Sequence, residues 1–146
     1  MDKNVRLLIG CCLTMMTALL VVGLVSHGII RHIVQTSPYW VAIVLGLRGS
    51  PWSKWAGLPC FALWLLLMIN IWLTLLGFPH LLGGTFSPTE VAMTLVVGVA
   101  ALAGMVASVR IRSQVGAPTA AAVMLLVLVL ELAALRVSFL PAIAHR

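Results

Sequence analysis

Four apolar runs, Leu7 to Ile30, Leu58 to Phe78, Pro88 to Val109 and Pro118 to Leu140, take up most of this 146-residue chain. Each approaches or exceeds the roughly 20 residues that a helix needs to cross a bilayer's hydrocarbon. In hydrocarbon every backbone N–H and C=O must be satisfied within the chain, and for runs of this length the helix does that. The fold class expected is therefore all-α integral membrane: transmembrane helices over 7–30, 58–78, 88–110 and 118–140, forming a single membrane domain over 1–146. The loops are too short to hold a soluble domain or enclose a cofactor.

Composition agrees. Hydrophobic residues make up 62% and charged residues 8% of the chain, far from the usual fractions of a soluble domain. The net charge of +6 would suggest nucleic acid in a soluble protein. Here the cations sit at helix ends and in short loops, beside the headgroups of a lipid bilayer, and no nucleic-acid partner is expected.

Helix starts are marked by chemistry. Ser-Pro recurs at Ser37-Pro38, Ser50-Pro51 and Ser87-Pro88; serine caps free N–H groups, and proline at the first helical position has no N–H to leave unsatisfied. Ser87 with Glu90 adds a capping box, which assigns Glu90 to structure rather than catalysis. Between the first two spans, Pro38 to Leu47 is apolar but too short to cross. With Tyr39, Trp40, Trp52 and Trp55 beside Arg48 and Lys54, the segment 37–48 reads as a short interfacial or re-entrant helix that anchors the chain at the headgroup level.

Four spans return the C-terminus to the side of the N-terminus. Arg31, Arg48, Lys54, Arg110 and Arg112 then lie opposite Lys3, Arg6, Arg136 and Arg146. This narrow excess favours loops 31–57 and 110–117 as cytoplasmic, in a cytoplasmic or inner membrane.

Glu131 interrupts the apolar run from Ala120 to Val137. Hydrocarbon offers an ionised carboxylate no replacement for water, so such a residue is paired, protonated or functional. Counting about 1.5 Å per residue places Asn70, Thr17 and Gly98 at a similar depth. They define an expected polar layer, Glu131, Asn70 and Thr17, beside a glycine that leaves space. Its functional reading is a proton- or cation-binding site; its structural reading is a Glu131–Asn70 hydrogen bond that fixes helix register. In the third span Ala100, Gly104 and Ser108 recur every four residues, the small-residue spacing of close helix contacts in lipid.

Other site chemistries find little support. His27 and His32 fall on one side of the expected topology and His80 and His145 on the other, so no metal site is expected, and no cofactor, although haem is the one to consider. The methionines scatter over all the spans as packing residues. Cys11, Cys12 and Cys60 lie in or beside apolar runs rather than in a disulfide framework, and the expected topology separates Cys11 from Cys60. An enzyme needs converging acids, bases or ligands, and three carboxylates in all do not supply them.

The function expected first is a non-catalytic subunit that packs against, stabilises or helps assemble a larger membrane complex, with an integral membrane partner or self-association. The alternative is a small oligomeric transporter or channel using Glu131. A haem- or quinone-contacting redox subunit comes third.

Overall fold

The computed structural model describes residues 2–78 and 86–144. Four helices are long and apolar enough to cross a membrane: α1 (Lys3–Val25), α4 (Ser53–Leu75), α5 (Pro88–Arg110) and α6 (Ala117–Ser138). Between α1 and α4 lie two short helices, α2 (Ile29–Thr36) and α3 (Tyr39–Leu47), and a single turn, α7 (Pro141–Ala144), follows α6. Among the described residues there is no strand.

The bounds follow local chemistry. The Asp2 carboxylate caps α1 by accepting from Asn4 N at 3.1 Å. At its other end His27 takes a left-handed φ of 54°, and Gly28 N returns to the Gly23 carbonyl at 2.9 Å, ending the helix before the expected Ile30. α5 occupies the expected range, opened by the full capping box: Ser87 N donates to Glu90 Oε2 at 2.7 Å, and Glu90 N donates to Ser87 Oγ at 3.3 Å. α4 starts five residues before the expected Leu58 and runs through Pro59.

The linker between α1 and α4 does not stay at one end of the bundle. A methyl group at Gly23 would lie 2.9 Å from the His32 ring, and one at Gly46 would lie 3.1 Å from Ile9. Between these points the Tyr39 hydroxyl donates to Met15 Sδ at 3.6 Å. α2 and α3 thus run back along α1 as one discontinuous helix, broken at Ser37-Pro38, and residues 29–47 cover about 28 Å. The expected short helix is present as α3, but it is the second half of a fifth traverse of the bundle.

This traverse reverses the direction of every later span. α4 begins beside the start of α1, where a methyl group at Gly57 would lie 3.2 Å from Leu8. We call that end, which carries Asp2, the near end, and the other the far end. α4 climbs to the far end, α5 returns to the near end, and α6 climbs again. Lys54 Nζ donates to the Ile111 carbonyl at 3.0 Å, and Trp55 Nε1 to Ser113 Oγ at 3.3 Å, joining the near-end start of α4 to the connection between α5 and α6. At the far end Gln35 Nε2 donates to Ser138 Oγ at 2.9 Å. The two described termini therefore lie at opposite ends, and segment 31–57 runs between ends instead of forming a loop on one side.

The core lies where α1, α3, α4 and α5 meet, around Leu8, Cys12, Met15, Tyr39, Phe61 and Val97. α1 and α5 make the most extensive contact. α6 leans on α4 and α2 and keeps most of its surface outward, including Leu125, Leu126 and Val129.

Candidate functional site

The polar groups that the bundle buries are not spread evenly. His32, Gln35, Thr36, Ser138 and Glu131 are all buried and belong to the region where α2 meets α6. α2 brings them inward because His32, Gln35 and Thr36 lie one turn apart or adjacent on one face of the helix. α6 delivers Glu131 and Ser138 from two turns of its inner face.

A cavity of about 280 Å³ lies at the far end. Polar side chains from two elements line it: Arg31, His32 and Gln35 from α2, and Glu90 and Thr94 from α5, with Leu135 and Phe139 at the end of α6 adding an apolar edge. Thr94 is satisfied: its hydroxyl accepts from Trp72 Nε1 at 3.0 Å and donates to the Val91 carbonyl at 2.7 Å. Much of the rest is not. Arg31 Nε, both ring nitrogens of His32 and Gln35 Oε1 are buried without a hydrogen-bond partner of good geometry. Arg31 stacks its guanidinium 5.4 Å from the Phe139 ring centroid, and no ion pair joins it to Glu90.

The cavity stops short of Glu131, and the space beyond it is too narrow for a water molecule. Gln35, Trp64, Leu67 and Leu135 line both the cavity and a narrow gap one helical turn deeper, at the Glu131 carboxyl. Glu131 is 3% exposed, and neither carboxyl oxygen has a hydrogen-bond partner. The Cys60 thiol faces it but points its hydrogen at the Ala56 carbonyl, at 3.4 Å. A buried polar group left without a partner costs roughly 1–3 kcal/mol, and more when charged. Several such groups together around a cavity are an arrangement that a polar ligand or a bound cation would relieve.

The expected layer of Glu131, Asn70 and Thr17 is not assembled. Thr17 is exposed and donates to the Leu13 carbonyl of its own helix at 2.9 Å. Asn70 Oδ1 has no partner, so the Glu131–Asn70 hydrogen bond is absent. Counting residues gives depth to within one or two turns, but it does not give facing: α6 packs on α2 and α4 and not on α1. Gly98 leaves space for the Trp72 ring, since a methyl group there would lie 2.5 Å from Trp72 Cζ2. Ala100 and Ser108 are buried, and Gly104 is filled by Phe61. The glycines of the small-residue pattern thus receive α4 side chains within the chain.

The expected aromatic anchors divide. Trp52 and Arg48 are exposed, and Lys54 sits 4.6 Å above the Trp55 ring, all at the near end as an interfacial belt requires. Tyr39 is fully buried, edge-on to Phe61 at 6.5 Å between ring centroids. Trp40 is 53% exposed on α3, level with the bundle's middle. Both lie away from the ends of the bundle, because the segment that carries them traverses it.

Cys11, Cys12 and Cys60 are free and buried. Contrary to the expected separation, Cys60 lies at the same end as Cys12 and close enough to interact with it. Among the described residues no three His, Cys, Asp or Glu side chains gather as metal ligands would; His80 and His145 lie outside those residues. The residues that sequence reasoning missed are Arg31, Gln35 and Ser138. The signal was present in Arg31-His32-Gln35, a polar face on an otherwise apolar stretch.

Compared with family models, with curated proteins and with solved structures, the chain matches none of them.

Proposed function

We propose that this chain is a small membrane transporter that admits a polar solute or cation through the far-end cavity, with Glu131 as its intramembrane proton- or cation-binding carboxyl. One observation carries the reading: a cavity bordered by buried polar atoms without hydrogen-bond partners shares its wall with a closed crevice at a carboxyl group that also lacks one. Ionisable groups at such depth are costly, and where they persist they mark ion and substrate paths. The discontinuous α2–α3 helix supports it, since broken helices at membrane depth are tolerated where they are buried in protein or line a cavity.

The direction of the path follows from charge. Lys3, Arg6, Arg48, Lys54, Arg110 and Arg112 gather at the near end, against Arg31 and Arg136 at the far end among the described residues. Cytoplasmic ends carry the excess of Lys and Arg, so the near end faces the cytoplasm of a cytoplasmic or inner membrane, and the cavity opens away from it. Reporter fusions test this: a fluorescent protein on the N-terminus should glow, and an alkaline phosphatase on the C-terminus should be active. An inactive phosphatase there would overturn the orientation.

For the mechanism, protein reconstituted in vesicles should conduct protons under an imposed potassium diffusion potential, and Glu131→Gln should abolish the flux. Unchanged flux in that variant would remove Glu131 from the path.

A second reading has its own support. α6 turns most of its surface away from the bundle, as a helix that seats against another membrane protein would. If the chain is a packing subunit, gentle purification with intact-mass measurement should show a stoichiometric foreign subunit; a lone homo-oligomer would sink that reading.

A further inference from the structure

The cavity holds one cation and one anion that do not meet. Arg31 enters from α2 and Glu90 from α5, and no ion pair joins them. Glu90 uses Oε2 to accept from the Ser87 N–H, which leaves its other oxygen free to accept. The guanidinium presents a buried Nε–H with no acceptor, and such a group pairs with carboxylate or phosphate oxygens. Deeper, the wall turns apolar, with Leu19, Trp64, Met68 and Val97. Arg31 and Glu90 are each half-buried, and two opposite charges on one cavity wall favour a ligand that carries both of the complementary ones, because either half alone leaves the other protein charge unpaired.

We infer that this cavity takes a small zwitterion with an apolar side chain, an α-amino acid of the leucine type. Its carboxylate sits on Arg31, its ammonium on Glu90, and its side chain lies among Trp64, Met68 and Val97. His32 and Gln35, with unfilled donor and acceptor positions, hydrogen-bond the polar head. A volume of about 280 Å³ lies just below the range of roughly 300–1,000 Å³ for small-molecule pockets, which suits a ligand of this size and excludes a large one. The inference rests on the cavity being the solute site proposed above and adds the solute's chemical class.

Calorimetric titration of the detergent-purified protein provides the test. L-leucine should bind saturably, and 4-methylpentanoate and 3-methylbutylamine, which each keep one of its charges, at least tenfold more weakly. Glu90→Gln preserves the capping box, since Gln also serves at that position, and should weaken leucine at least tenfold while leaving 4-methylpentanoate unchanged. Arg31→Gln should do the converse, sparing 3-methylbutylamine. Leucine that fails to bind, or binds no more tightly than its half-molecules, overturns the inference. The same charge pair exists in a phosphatidylethanolamine headgroup, so dihexanoyl phosphatidylethanolamine is titrated alongside; tighter binding of that lipid with none of leucine assigns the pair to lipid and also overturns it. Binding needs no flux, so the two readings fail separately. Leucine binding without proton flux removes the transport mechanism, and proton flux without leucine binding removes only the solute assignment.

Discussion

Gly104 offers a test of the packing on which the site depends. A methyl group there would lie 2.5 Å from Phe61 Cε1 and 2.7 Å from Cε2, about 1 Å inside an ordinary carbon contact. The Phe61 ring has no free side to move into: it is fully buried, Tyr39 meets it edge-on, and a Cβ at Gly57 would lie 3.3 Å from its Cε2. Displacing the ring therefore presses on Tyr39 and through it on Met15. Overpacking of this kind costs about 1–3 kcal/mol, and the helix-propensity gain of Gly→Ala returns at most about 1 kcal/mol. Gly104→Ala should thus lose about 1–2 kcal/mol, a fall in melting midpoint of several degrees at roughly 2–4 °C per kcal/mol. Gly10→Ala is the control. That site is exposed, and a methyl group there would meet nothing within 4 Å, so only the propensity gain applies and the midpoint should hold or rise. Tryptophan fluorescence during a thermal melt in mild detergent reads both variants. Adding Phe61→Leu to Gly104→Ala should cost less than the two changes summed, because they share one contact. Equal midpoints for the two glycine variants would refute the assigned fit of α4 on α5.

Three further changes probe the site's frame. Ser138→Ala removes the acceptor of the Gln35 Nε2 bond at 2.9 Å in a buried setting and should cost about 1–3 kcal/mol, read by the same melt; no loss would detach α2 from α6. Ser87→Ala breaks one arm of the capping box and should cost about 1 kcal/mol, whereas Ser87→Asp, another strong cap, should cost far less. Glu131→Leu replaces a buried carboxyl without a hydrogen-bond partner by an apolar side chain of similar size, and should raise the midpoint while abolishing flux; a lower midpoint would mean that the carboxyl is satisfied in the folded protein.

Where the sequence carried a local chemical signal, it located structure well. α5 begins and ends where expected because Ser87, Pro88 and Glu90 act on one another within a single turn. α4 was expected to start near Leu58, yet it begins earlier, since Pro59 falls in its second turn and the helix tolerates it. The α2–α3 traverse was not legible as one element. Neither half is long enough to cross, Ser37-Pro38 separates them, and Arg31, His32 and Gln35 lower the hydropathy of the first half. Missing one traverse changes the parity of the chain: the two described termini lie at opposite ends instead of the same one, and a clear asymmetry of cations among the described residues reads from sequence as a near tie. Glu131 could be singled out from sequence because it is a carboxyl in an apolar run. Its neighbours could not, because depth along a helix follows from counting residues whereas facing depends on which helices pack together.

The break between α2 and α3 supplies partners for its own main chain. Pro38 has no N–H to offer the carbonyl four residues earlier, that of Val34, and the Ser37 N–H takes its place at 3.2 Å. The Ser37 hydroxyl adds a second bond to the Val34 carbonyl at 2.7 Å, and the Thr36 hydroxyl donates to the Ile33 carbonyl at 3.0 Å. The break thus satisfies these carbonyls with one N–H and two hydroxyls of the same segment. The groups left without partners lie one turn earlier on α2, at His32 and Gln35, and across from them at Glu131. A break made only to bend the helix would need the hydroxyls and the proline. The additional polar face on α2, packed on Gly23 through His32 and bonded to Ser138 through Gln35 but also bordering the cavity, is the part that bending does not require, and it is there that a ligand would find donors and acceptors unoccupied.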